Sequence, residues 1–404
     1  MKILHTADWH LGKRLYGNDL HEDQTFFIKW LLEEIESQKI DYLLISGDIF
    51  DLANPSNEAR KLYYQTLIAI IQKKCKIIIT GGNHDSPSVL NAPKELLHAL
   101  DITVVGGMPN PLDQMVVPLT NKKGETEAVV AAVPFLRDAD LRKHQVGTSH
   151  EDRMEAIRSG VKHVFDAMAD LASKRYPGLP LIGMGHLFAH GVRTSESERE
   201  IQIGNLAGID ATAFSAAYDY IALGHIHQPQ SVGTSGKILY SGSPIALSFS
   251  EKNDPKRVVV IEIKKGIVFK SHPIPQARRL VKITGDLPTI AGKLEAFDPQ
   301  EAPLKCFLEI ELIETQYDPS KIIALEALLE AFSHPKALVI KHRIQFKDVV
   351  HGAHQLFNSD QRLEELQPHE VFKKRLDSEV LDNEKRSLLE AAFSEIVEQL
   401  NQGA

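Results

Sequence analysis

The sequence predicts an α/β protein: two facing mixed β-sheets flanked by helices, a small α/β capping domain and a helical C-terminal tail. Three observations predict it. The first third alternates short apolar runs with stretches of helical period, the middle sets one long helical pattern before a series of short β runs, and a second alternation restarts after Pro273 and Pro275. At 404 residues the chain exceeds what one hydrophobic core usually holds. We therefore expect three parts, 1–274, 275–347 and 348–404.

Runs 2–6, 42–46 and 76–80 are apolar almost throughout, and 22–38 and 56–73 between them carry helical spacing. This βαβαβ order implies parallel strands buried on both faces. A helix is expected at 151–174 and strands at 181–184 and 219–223, followed by shorter β runs through Val232 and at 238–241, 258–263 and 268–271. After the two prolines come strand 280–284, helix 287–296, strand 307–313, helix 322–332 and strand 337–346. No sustained period follows from 348 to 367. Leu388, Leu389, Ala392, Phe393, Ile396, Val397 and Leu400 then recur at helical spacing opposite an acidic face. Such a tail either folds back on its own chain or docks on a partner.

A composition of 43% hydrophobic and 25% charged residues is that of an ordinary soluble globular protein and excludes disordered, fibrous and disulfide-stapled classes. The start MKILHTADWH lacks the apolar core of a signal peptide, and no run is long enough to cross a bilayer, so a cytoplasmic location is expected. Cys75 and Cys306 lie far apart without metal-ligand spacing and are expected to be reduced fillers beside strands. A net charge of −8 speaks against nucleic-acid binding through bulk positive potential. A local basic surface, or bound cations, remains compatible with it.

Each of the first three strands runs into a polar cluster: Asp8-Trp9-His10, Gly47-Asp48-Ile49-Phe50-Asp51 and Gly81-Gly82-Asn83-His84-Asp85. Gly185-His186 and Gly224-His225-Ile226-His227 follow two later strands in the same way. Ligands of open α/β sheets bind outside the carboxyl ends of strands, so five loops should deliver carboxylates, imidazoles and an amide to one crevice. A lone strand-end Asp or His is ordinarily a turn or solvated residue. Five together are not explained that way. Divalent ions accept such a mixed oxygen and imidazole set, and the absence of thiolates disfavours structural zinc. The one-residue gaps in Asp8-x-His10 and His225-x-His227 turn both members of each pair to one side of an extended segment.

The order D-x-H, G-D, G-N-H-D, G-H, G-H-x-H resembles the signature of the calcineurin-like metallophosphoesterases. Within them, the strings HTADWHLGKRLYG, SGDIFDLANPS, GGNHDSP, SESEREIQIG, DYIALGHIHQPQ and YSGSPIALSFSE are similar to bacterial nuclease subunits of double-strand-break repair complexes. The resemblance implies two manganese ions, with magnesium or another divalent ion as the alternative. Asp8, His10, Asp48 and His227 would surround one ion; Asp48, Asn83, His186 and His225 would surround the other. His84 would touch the scissile phosphate instead of a metal and act on the leaving oxygen. Asp51 would orient a ligand imidazole or cap a helix, and Asp85 would cap one. Lys13, Arg14, Tyr16, Arg193 and Ser195, and beyond them Lys252 and Lys256, are candidates for phosphate contacts. The implied partners are DNA and a long coiled-coil ATPase met by the tail, with the nuclease chain itself a homodimer. The rival readings are a phosphoesterase for small nucleotides or phosphoproteins, and a non-catalytic scaffold on the same fold. A scaffold should have lost ligands, and none of the seven is missing.

Overall fold

The apolar runs become strands of two six-stranded sheets and one smaller sheet. The computed structural model describes residues 1–141, 150–195, 198 and 208–346, with four isolated residues, 372, 376, 389 and 393. In chain order the strands are β1 (Lys2–Thr6), β2 (Arg14–Leu15), β3 (Asn18–Asp19), β4 (Tyr42–Ser46), β5 (Lys76–Thr80), β6 (Ile102–Val105), β7 (Val116–Thr120), β8 (Thr126–Ala132) and β9 (Leu181–His186). They continue as β10 (Tyr220–Gly224), β11 (Gln230–Val232), β12 (Ile238–Tyr240), β13 (Arg257–Ile263), β14 (Ile267–Pro273), β15 (Leu280–Gly285), β16 (Cys306–Glu314) and β17 (Ala337–Phe346).

The first sheet has the order β14-β13-β1-β4-β5-β6 and the second β11-β12-β10-β9-β8-β7. In each, four neighbouring strands run parallel (β1, β4, β5, β6 and β12, β10, β9, β8) and antiparallel strands complete the edges. This is the expected pair of mixed sheets. Alternation along the strands divides the apolar residues between two cores. Ile3, Leu44 and Ile78 point to the core shared with the second sheet, where Val130, Ile182, Met184 and Tyr220 lie. Leu4, Leu43, Ile45, Ile77 and Ile79 face the helices His21–Gln38 and Asn57–Gln72 on the other side.

Both helices are amphipathic at the period that burial demands: Phe27, Ile28, Leu31 and Ile35 from one, Leu62, Tyr63, Leu67 and Ile70 from the other. Ser56 begins the second by accepting from Ala59 N at 3.2 Å. The long helix His150–Arg175 packs Phe165 and its apolar neighbours Val161, Met168 and Ala172 on the outer face of the second sheet, where Phe165 meets Gly185 and Leu223. Strand β6 and the hairpin β7–β8 were not among the expected elements. Cys75 and Cys306 are free and buried.

By internal contacts the chain divides into a large unit, 1–281 with 298–309 and 334–340, and a small one, 282–297, 310–333 and 341–404. The expected alternation after Pro275 is present as the sheet β15-β16-β17 and two helices. In the small unit, Leu287–Glu295 starts at Asp286, which accepts from Thr289 N, and Pro319–Ala331 starts at Asp318, which accepts from Ser320 N. There Glu311 pairs with Lys282 at 2.8 Å and with Arg343 at 2.5 Å. The aperiodic stretch from 348 and the amphipathic tail lie outside the described residues, apart from the four isolated positions. Among the described residues no helix is long and apolar enough to cross a membrane.

Candidate metal centre

Register brings the ligand-bearing loops to one level. Thr6 pairs with Ile45 and Ser46 with Thr80 in the first sheet, and Gly224 pairs with His186 in the second. The chain therefore leaves β1, β4, β5 and β10 at matched heights, next to the end of β9. The sheets are stitched together at this edge: Ser46 Oγ donates to Ala222 O at 3.0 Å, and His186 Nδ1 donates to Ser46 O at 3.0 Å. The loops after β1 and β4 are laced by Asp8 N to Gly47 O, His10 N to Asp48 O and Leu11 N to Ile49 O, at 2.9–3.1 Å.

The backbone is forced where these side chains turn inward. Asp8, His10, Asp48 and His225 have φ of 55°, 45°, 49° and 103°. Left-handed geometry at non-glycine residues is uncommon and gathers where function over-determines the chain. Two glycines are required by close approach. A Cβ on Gly82 would strike the Asp48 carboxylate, and one on Gly224 would strike Ser46 O.

Asp8, His10, Asp48, His186, His225 and His227 are all buried, and Asn83 is half-buried beside them. Potential ligand atoms of Asp8, His10 and His227 lie within 4.8 Å of one another, as do those of Asp8, Asp48 and His186, and those of His10, Asp48 and His84. The second group ties Asp8 to both halves of the expected ligand set.

Hydrogen bonds fix which ring nitrogen each histidine turns inward. His186 gives its Nδ1 proton to a carbonyl, so Nε2 is the nitrogen that donates a second proton in the imidazolium favoured by Asp48, or offers a lone pair to a cation. It faces Asn83 Oδ1 at 2.9 Å and Asp48 Oδ2 at 3.4 Å, both acceptors. Asn83 Oδ1 also lies 2.9 Å from His225 Nδ1. His10 Nδ1 donates to Asp51 Oδ1 at 3.2 Å, which leaves Nε2 3.5 Å from Asp48 Oδ2. Asp8 Oδ2 and His10 Nε2 are buried with no hydrogen-bond partner. Acceptors converging on acceptors call for a cation between them, and the donor set of carboxylate, amide and imidazole suits a divalent ion.

Charge preferences agree. Burial pushes the Asp8 carboxyl up to about 7 against the pull of the His186 and His227 imidazoles. Burial pushes His10 down to about 4 and His225 down to about 3. Asp48 and His186 support each other as an ion pair, as Glu251 and His227 do. Burial opposes both charges, but the imidazoles hold Asp48 well below the usual carboxylate range, and Asp48 lifts His186 to about 9. The cluster is short of positive charge.

His84 lies at the rim, half-buried. Its Nδ1 donates to Asp51 O at 2.7 Å, its backbone N donates to Asp48 Oδ1 at 2.9 Å, and its ring stands edge-on to His10 at 4.7 Å. Asp51 thus holds His10 through its carboxylate and His84 through its carbonyl, and Lys13 Nζ reaches the same carboxylate at 3.2 Å. Asp85 is not a helix cap. Its carboxylate accepts from Ile49 N, Phe50 N and Gly82 N at 2.9–3.1 Å, clamping the β4 loop to the β5 loop.

Of the residues expected to touch phosphate, Arg14, Tyr16 and Arg193 are exposed. Two others turn inward. Ser195 is buried and its hydroxyl donates to Glu251 Oε1 at 3.2 Å. Lys256 pairs with Glu251 Oε2 at 2.6 Å and donates to His227 O at 3.2 Å. Lys252 is half-buried in the short turn that follows Glu251.

Sequence reasoning missed four contributors. Glu251 accepts from His227 Nδ1 at 3.3 Å, and Glu198 accepts from the His227 backbone N–H. Gln24 Nε2 donates to His10 O at 2.6 Å. Arg137 donates to Asp85 O at 3.2 Å and lines a cavity of about 620 Å³ with Gly82 and Phe135. Glu251 ends the string YSGSPIALSFSE and Glu198 lies in SESEREIQIG, the two signals that marked any of them.

Residues 1–229 match the family described as Calcineurin-like phosphoesterase, and residues 276–380 match the Type 5 capsule protein repressor C-terminal domain. Among curated proteins, the chain is similar to the D subunit of the nuclease SbcCD from Escherichia coli (strain K12), 32% identical over 402 residues, which are 98% of this chain and 97% of the relative. The protein of the same name from Rhodobacter capsulatus is 33% identical over 82% of this chain and 85% of its own length. That from Bacillus subtilis is 33% identical over 66% of this chain and 67% of its own.

Proposed function

This chain belongs to the calcineurin-like phosphoesterase family, among the SbcD chains of SbcCD nucleases, and on that premise we propose that it is a manganese-dependent DNA exonuclease and endonuclease. It hydrolyses phosphodiester bonds at DNA ends and hairpins together with an SbcC-type coiled-coil ATPase, in repair and recombination. In this reading it works in the cytoplasm as a homodimer, joined with the ATPase in a heterotetramer. The observation that carries the reading is the buried convergence of acceptor atoms from five strand ends, with Asp8 Oδ2 and His10 Nε2 lacking hydrogen-bond partners.

In this account Asp8, His10, Asp48 and His227 would hold one ion, and Asp48, Asn83, His186 and His225 would hold the other. When bound, such a pair would supply Lewis-acid polarisation of the phosphate. The protein does the remaining work. Asp51 and Ser46 hold the His10 and His186 rings with their acceptor nitrogens inward. Because Asp51 O takes the Nδ1 proton of His84, Nε2 of that ring is the atom left to meet the phosphate, and in the imidazolium its N–H gives the proton that the leaving oxygen takes. In this reading Lys13, Arg14, Tyr16 and Arg193 meet the phosphates of the DNA chain.

The test sets end-labelled linear duplex and hairpin DNA against bis-p-nitrophenyl phosphate, with manganese and with chelator. Chelator-sensitive release of nucleotides from DNA is expected. Hydrolysis of the small ester alone would favour a phosphatase of small or phosphoprotein substrates and sink the nuclease reading.

A further inference from the structure

The two halves of the ligand set are not backed alike. His186 rests on a neutral carbonyl, Ser46 O. His10 and His227 rest on carboxylates, Asp51 at 3.2 Å and Glu251 at 3.3 Å. An imidazole that donates to a carboxylate is a stronger donor toward a metal than one that donates to a carbonyl.

Glu251 is built in firmly. It is 1% exposed. Its Oε1 accepts from His227 Nδ1, Ser195 Oγ and Ser248 Oγ, at 3.2–3.3 Å. Its Oε2 accepts from Lys256 Nζ at 2.6 Å, and from Ser243 Oγ and Leu247 N at 3.2 Å. A carboxylate with this many donors has no second orientation of equal energy. His227 is fixed at three points: its ring on Glu251, its carbonyl on Lys256, and its backbone N–H on Glu198, a residue that also accepts from Ser195 N at 2.7 Å. No catalytic step described above uses Glu251, yet it occupies the most heavily bonded position around the site.

We propose that Glu251 is a positioning residue that holds and polarises His227, so that the Asp8–His10–His227 half of the site binds its ion more tightly than the Asn83–His186–His225 half. The inference rests on the ligand assignment proposed above. A merely structural role is the alternative, since Glu251 and Lys256 form a buried pair whose disruption alone destabilises the fold.

The experiment titrates manganese into metal-stripped full-length protein by calorimetry, with thermal unfolding followed in parallel. Wild type should bind two ions in two phases of different affinity. In Glu251→Gln the tighter phase should weaken about 10–100-fold. The double variant Glu251→Gln with Lys256→Met removes both buried charges. It should regain the thermal stability that the single variant loses while keeping the weakened affinity, and it carries the test by itself if the single variant does not fold. Wild-type affinity in the double variant, or a loss confined to the weaker phase, overturns the proposal. His227→Ala separates the two claims. If it leaves both phases intact, the ligand assignment falls and this inference with it; if it abolishes the tighter phase while the double variant keeps it, only the role of Glu251 falls.

Discussion

His84→Ala is the substitution that best separates the roles within the cluster. The ring lies close enough to His10 and Asp48 to be grouped with them as a ligand, yet its bonding points elsewhere. Its Nδ1 proton is committed to Asp51 O, and it is half-buried where six of the candidate ligands are buried. Removing it deletes one side-chain hydrogen bond, a loss of about 0.5–1.5 kcal/mol in stability. In a protein of this size that lowers the melting temperature by about 2–4 °C or less. The backbone bond from His84 N to Asp48 Oδ1 survives the substitution, so the Asp48 carboxylate keeps its orientation. Loss of a proton-transfer group should slow cleavage about 10²–10⁴-fold, about 3–5 kcal/mol in the barrier. The assay is single-turnover cleavage of end-labelled duplex with saturating manganese, beside a count of bound ions per chain. Slow cleavage with two ions bound is expected. A lost ion would make His84 a ligand, and a wild-type rate would remove it from the chemistry.

Asp48→Asn should abolish hydrolysis and lower the bound metal below two ions per chain, read by elemental analysis, because in the proposed assignment one carboxylate serves both halves. Asp85→Asn replaces an acceptor of three backbone N–H groups with an amide that can turn only one oxygen toward them. We expect a loss of about 1–3 kcal/mol, seen in denaturant unfolding, with weaker metal binding because the β4 and β5 loops come apart. Gly224→Ala drives a methyl into Ser46 O, with Ala7 Cβ 2.9 Å away; a destabilisation of about 1–3 kcal/mol and a fall in activity should appear together. Deleting the residues after Gln367 should leave cleavage of short duplexes intact and weaken co-purification with an SbcC-type ATPase; unchanged co-purification would place docking elsewhere.

The strands that carry the ligands were legible because they are central and parallel. Leu43-Leu44-Ile45 in β4 and Ile77-Ile78-Ile79 in β5 are buried on both faces and read as unbroken apolar runs. The hairpin β7–β8 escaped notice for local reasons: β7 contains Pro118, and β8, with three alanines in seven residues, has little β propensity of its own and is held by the sheet around it. Likewise β6 has four residues and follows two five-residue helices that show no usable period.

The candidate site divides along the same line. Asp8, His10, Asp48, Asn83, His186, His225 and His227 come directly after strands, so chain order revealed where they gather. Glu198 and Glu251 reach His227 from 29 and 24 residues away in the sequence, and nothing periodic announces them. Ser195 and Lys256 show the converse error. Polar residues close in sequence to a ligand were expected to face the substrate, but Glu251 needed them more.

The most direct test of the account is to locate the ions. A crystal of the full-length protein grown or soaked in manganese, measured at the manganese absorption edge, should show two anomalous peaks about 3.5–4 Å apart. Asp48 should lie between them, with Asp8, His10 and His227 around one and Asn83, His186 and His225 around the other. A single peak, no peak, or peaks away from these side chains would contradict the two-metal site.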